Sequence, residues 1–161
     1  MSSCNRRFLI LAPLALVACG FTPAYAPGGA ATRLTGAVWA ADPTDKNGFD
    51  LVERLEERLG RPQVHRYDLA YSIVTEKVGV GITPDNRITR YNLKGAIEYT
   101  LSDTGTGARI TGGRVQGFTA YAATGSTVAG LAAEEDAAYR LMRMLADQIV
   151  ARLIAEAAKL P

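Results

Sequence analysis

The first residue whose surroundings specify a chemistry is Cys19, in the run Leu16-Val17-Ala18-Cys19. Arg6 and Arg7 and an uncharged apolar run over residues 9–17 precede it, and Gly20 follows. A charged region, an apolar region and a small-residue site in that order form a secretory signal, too short to span a bilayer. Bacterial lipoprotein signal peptidase cuts before a lipid-modified cysteine that has a small residue at its N-terminal side and an aliphatic one two positions further back. Ala18 and Leu16 meet both requirements. Cys19 is therefore the expected lipid attachment site, carrying acyl chains such as palmitate. Arg6-Arg7 leaves a twin-arginine export route open, but the Ser or Thr before the pair is missing, which favours general secretion.

Little else in the chain could do covalent chemistry. Cys4 leaves with the signal and Cys19 is acylated, so no disulfide pair remains. His65 is the only histidine and lies in a short connector after Pro62, where a solvated loop residue is expected. A histidine acts as a base only when a nucleophile and an orienting group stand around it. Glu56-Glu57 and Glu134-Glu135 are neighbours on helices, so the members of each pair do not face one point. Gly79-Val80-Gly81 precedes a proline and Gly112-Gly113 falls inside a strand, so neither makes a phosphate loop. The expectation is a non-enzymatic chain without cofactor or metal. Removing Arg6 and Arg7 leaves 16 basic and 16 acidic side chains, and that balance gives no electrostatic footprint for a nucleic acid.

The elements that must carry any binding surface follow from periodicity. Residues 1–18 are the signal, 19–33 a lipidated, Pro- and Gly-rich tether, and 34–161 a single domain, a size that supports one core. A strand is expected over 34–41 and an amphipathic helix over 49–59, where Val52, Leu55 and Leu59 recur and Gly60 stands as a left-handed cap. Residues 67–78 alternate as a strand, and 79–86 turn the chain with two exposed-looking aliphatics, a candidate contact loop. Tyr91, Leu93, Ile97, Tyr99 and Leu101 share one phase, while Arg90, Asn92, Lys94 and Glu98 share the other. A fourth strand runs over 108–122, with a glycine bulge expected at Gly112-Gly113. The last helix starts between residues 127 and 134 and carries the stripe Leu131, Ala138, Leu141, Leu145, Ile149 and Leu153, widened by Met142, Met144, Val150 and Ile154. Glu134, Glu135 and Asp136 are read as complementing its positive end. The order β-α-β-β-β-α predicts an α+β fold: a four-stranded sheet with both helices on one face. The other face then displays Arg90 and Lys94 with Arg87 close by, candidate contacts for an anionic lipid or an acidic partner.

Cys19-Gly20-Phe21-Thr22-Pro23-Ala24-Tyr25, then Arg90-Tyr91-Asn92-Leu93, Tyr99-Thr100-Leu101-Ser102-Asp103 and the helical run from Glu135 to Leu153 resemble the LptE family of lipopolysaccharide-assembly lipoproteins. The resemblance implies an outer-membrane lipoprotein, lipid-anchored and facing the periplasm, that fills the lumen of an LptD-type β-barrel and helps deliver lipopolysaccharide, without catalysis. Gly20 after the lipidated cysteine, where an aspartate would commonly signal inner-membrane retention, agrees with that address. The competing reading is an accessory lipoprotein of a phospholipid ABC-type transport system.

Overall fold

The protein was analysed as a computed structural model, which describes residues 29–123 and 125–157. The signal and Cys19 lie outside these residues. The described chain enters through a 3-10 turn, Ala30–Arg33, formed by the last residues of the expected tether. Ala31 and Leu34 are buried there, so the domain's packing begins before residue 34. The expected first strand shortens to β1, Val38–Ala40, because Leu34 is held in a turn whose carbonyl accepts from the Ala37 N–H at 3.1 Å.

Helix α1, Lys46–Leu59, begins three residues before the apolar periodicity does. The cause is local: the Asp45 carboxylate accepts from the Gly48 N–H at 2.7 Å and caps the first turn. Gly60 closes the helix with φ 79° but ψ 152°, an extended conformation open only to glycine rather than the left-handed helical cap. α1 is the crossover that lets β1 lie parallel to β2, Tyr67–Ile82. β3, Ile88–Asp103, and β4, Arg109–Ala122, continue the sheet antiparallel, in the order β1-β2-β3-β4. The strand β2 runs through residues 79–82, where a turn was expected, with register shifts on either side of Gly81. The reversal itself is tight: the Thr83 N–H donates to the Arg87 carbonyl at 2.9 Å, and Asn86 takes a positive φ of 57°.

The slip between β3 and β4 falls at Ile110, two residues before the glycine pair. Leu101 opposes Thr111 and Ser102 opposes Arg109, which leaves Ile110 as the extra residue, whereas Gly112 and Gly113 stay in register with Thr100 and Tyr99. The β-branched Ile110 thereby turns toward the core, and every odd residue from Thr111 to Tyr121 faces the helices.

Helix α2, Thr127–Ala155, is capped by Ser126, which accepts from the Ala129 N–H. Its burial begins only at Ala137, and Leu131 is 60 % exposed, so the first turns carry no part of the core. Starting at Thr127 also puts Glu134, Glu135 and Asp136 beyond the first turn, too far in for the helix dipole to explain them. From Leu141 to Leu153 the stripe is fully buried against Ile97, Tyr99, Leu101 and Val115 of the sheet and Leu51, Leu55 and Leu59 of α1. Both helices thus cover one face. They can approach closely because Gly95 and Gly117 oppose each other beneath α2. A Cβ at Gly95 would lie 2.9 Å from Leu141 Cδ2, and one at Gly117 would lie 2.5 Å from Met144 Cε.

Candidate functional site

The face of the sheet away from the helices has no layer over it among the described residues. Strict alternation along β3 places Arg90, Asn92, Lys94, Ala96 and Glu98 there. Cross-strand register completes the rows: Lys94 stands between Glu76 and Phe118, Ala96 between Val74 and Gln116, and Glu98 between Ser72 and Arg114. The face is amphipathic. Val74 and Phe118 are 65 % and 61 % exposed, and with Lys94, Ala96 and Gln116 they bound a recess of about 580 Å³. A second recess toward the hairpin end is lined by Val80, Arg90, Asn92, Phe118 and Ala120.

Arg90 and Lys94 therefore share one face, four residues or about 13 Å apart along the strand. Arg87 is not beside them: it sits in the reversal and lines a third hollow with Asp85, Ile88 and Thr89. Arg114 belongs to the face and was missed by sequence reasoning. Its even position beside core-facing Val115 is the signal that could have found it, because alternation places it opposite Glu98 on the open face. At the hairpin end the face runs into exposed aliphatics, Val80, Ile82 and Ile88, while Val128 and Leu131 stand exposed on the first turns of α2.

The electrostatics separate the two faces. On the helical side the cations are satisfied. Arg54 donates to both oxygens of Asp147 at 3.1 and 3.0 Å and to Glu57 at 2.7 Å, and Arg143 reaches Glu57 at 3.1 Å. Glu57 is held below the usual carboxylate range by Arg54 first and Arg143 second. Lys77 meets Glu134 at 2.8 Å, and the Tyr121 hydroxyl donates to the same carboxylate at 2.9 Å. The Lys77 ammonium is the main cause of the lowered Glu134 pKa, and the Glu134 hydrogen bond is the main cause of the raised Lys77 pKa. Arg87, Arg90, Lys94 and Arg114, by contrast, make no side-chain hydrogen bond or ion pair among the described residues. Glu76 and Glu98 share the open face, so its excess of positive charge is small, but neither comes within 4 Å of the cation opposite it.

The remaining candidates for chemistry resolve into structural pairs. His65 Nε2 lies 2.5 Å from Asp68 Oδ1, and its ring lies 5.2 Å from that of Trp39. The Thr104 hydroxyl donates to the other Asp68 oxygen at 3.0 Å. The hydroxyl thus bonds the carboxylate and not the imidazole, so the three do not form a nucleophile–histidine–carboxylate relay. The His65 hydrogen bond also holds Asp68 below its ordinary pKa. Glu56 pairs with Arg61 at 3.4 Å and Glu57 with arginines, so neither is free for acid-base work. Among the described residues no three metal-ligating side chains converge.

These features define a class: a small two-layer α+β domain with a sheet face that, among the described residues, is bare and combines apolar recesses with unpaired cations. The profile of the LptE lipopolysaccharide-assembly family matches residues 36–153, and the chain belongs to that family. Its members are lipoproteins associated with the lipopolysaccharide transport machinery of the envelope. The fold is shared with a candidate lipoprotein from Caulobacter crescentus, at 23 % identity and a TM-score of 0.69, over 81 % of this chain and 97 % of that one. It is also shared with the rare lipoprotein B from Shewanella oneidensis, at 15 % identity and a TM-score of 0.59, over 77 % and 96 %. A lipoprotein B from Nitrosomonas europaea aligns at 15 % identity and a TM-score of 0.58, over 76 % and 84 %. No curated protein sequence matches the chain significantly.

Proposed function

We propose that this lipopolysaccharide-assembly lipoprotein is anchored to the outer membrane through acylated Cys19, assembles inside an LptD-type β-barrel and assists delivery of lipopolysaccharide to the outer leaflet. Its open sheet face, with Arg90, Lys94 and Arg114 and the hairpin end bearing Arg87, is the surface turned to the glycolipid or the barrel wall. The observation that carries this reading is the pairing of unsatisfied cations with exposed Val74, Val80 and Phe118 on one face. Lipopolysaccharide carries anionic phosphates beside acyl chains, and a surface of cations bordering apolar recesses complements both. Such exposed charges add little to folding and are screened by salt, so their effect belongs to binding.

The test is the double reversal Arg90→Glu with Lys94→Glu in the full chain. Its melting temperature is expected to stay within a degree or two of the parent, since surface substitutions of this kind cost within about 0.5 kcal/mol. Lipopolysaccharide binding or co-purification with the barrel should fall by about tenfold or more at low ionic strength and less at high salt. Unchanged capture of both partners at low salt would remove this face from the functional surface.

A further inference from the structure

A further recess lies at the β1 edge of the sheet and has no part in the proposed glycolipid or barrel surface. It is a groove of about 440 Å³ between β1 and α1, floored by Val38, Ala40, Leu55 and Leu59, with Trp39 and Asp42 at its mouth. Trp39 is 44 % exposed, large for an aromatic that adjoins a core.

The hydrogen bonding of β1 says what kind of occupant the groove suits. The Tyr67 N–H donates to the Ala37 carbonyl at 3.0 Å and the Ala41 N–H donates to the Leu69 carbonyl at 2.9 Å. In a parallel pair this makes residues 37, 39 and 41 the ones that bond β2, and it turns the N–H and C=O groups of Val38 and Ala40 away from the sheet. Among the described residues nothing meets those four groups. They alternate donor and acceptor at the repeat of a strand, beside a recess of apolar side chains. A lipid or a sugar does not present that alternation; a polypeptide in extended form does, and adding a strand to such an edge is a recurring mode of peptide recognition.

Charge narrows the occupant further. Arg61, at one end of the groove, is engaged by Glu56 at 3.4 Å. Asp42, at the other end, has no hydrogen bond or ion pair among the described residues, and Glu53 is exposed on the helix above. We propose that the β1–α1 groove receives an extended segment of a partner protein, which adds as a strand beside Val38–Ala40, places apolar side chains in the recess at alternate positions, and sets a basic residue against Asp42.

Trp39 is the only tryptophan in the chain and reports on this edge directly. The full chain in detergent is titrated with a panel of hexapeptides that alternate apolar and polar residues and end in lysine, and with the same peptides ending in glutamate. Lysine-ended members should shift Trp39 emission saturably and slow amide exchange at Val38 and Ala40 about tenfold or more, the protection expected of a closed strand pair. Ala40→Pro removes one of the outward N–H groups without touching a bond to β2, and should abolish the titration while the far-ultraviolet spectrum stays unchanged. Asp42→Lys should reverse the preference toward glutamate-ended peptides, a readout that stands even if the proline variant fails to fold. Absence of any emission change or amide protection across the panel would overturn the proposal, as would protection of Val38 and Ala40 that depends on protein concentration alone, since that outcome assigns the edge to a second copy.

Discussion

The two faces of one sheet differ in how they treat the same residue types. On the helical face, leucines and isoleucines are fully buried and the arginines above them are locked to Asp147 and Glu57. On the open face, Val74 and Phe118 stand in solvent while Arg90, Lys94 and Arg114 have no anionic partner within the described chain. Neither hydrophobicity nor charge by itself distinguishes structural from interactive residues here; satisfaction within the chain does. Residues that complete their contacts internally hold the fold together. Those left incomplete on a rigid, well-paired sheet are free to complete them with something else.

Substitutions matched across the sheet measure that difference. Leu145→Ala should cost about 2 to 5 kcal/mol, because it empties a fully buried site between α2 and the sheet. Phe118→Ala, which removes a larger side chain from the open face, should change stability by about 0.5 kcal/mol or less. Similar shifts in a urea titration would mean that the open face is covered in solution.

A smaller effect is expected at two adjacent residues of β3. Gly95→Ala forces a methyl toward Leu141 and Leu145, with close approaches of 2.9 and 3.1 Å, and overpacking of this sort costs about 1 to 3 kcal/mol. Ala96→Val adds more volume one position along but on the open side, where a β-branched residue suits a strand, and should be close to neutral. A comparable loss of melting temperature in both would contradict the close seat of α2 over Gly95 and Gly117.

The smallest effect concerns the ion pair that fastens the start of α2. The pKa of Glu134 is lowered from its ordinary 4.5, so the stability it contributes is present above that value and is lost as pH falls through the lower, folded one. Glu134→Gln should therefore flatten the fall in melting temperature on acidification below pH 4.5, and should cost the most near neutrality. Lys77 is displaced upward, and its share should disappear only as pH rises beyond 10.5. An unchanged acid limb in the variant would show that the Lys77–Glu134–Tyr121 cluster does not clamp the helix.

What the sequence determined by itself follows from periods that side-chain geometry enforces. Alternation along β3 decides which residues go under the helices, because a slip of one residue would exchange every core side chain for a solvent-facing one. Arg90 and Lys94 were legible as open-face residues for that reason, and the stripe from Leu141 to Leu153 for the equivalent helical one. Only the tertiary structure decided the rest. Leu131 fits the stripe and is exposed, since a stripe is buried only where a partner surface lies beneath it. The β4 slip occurs at Ile110 rather than at the glycines, because packing of the isoleucine against the core outweighs the glycines' backbone freedom. Which cations are paired, and which edge of the sheet keeps unmet hydrogen-bonding groups beside an apolar groove, depends on residues far apart in the chain coming within a few ångströms, and no local pattern encodes that distance.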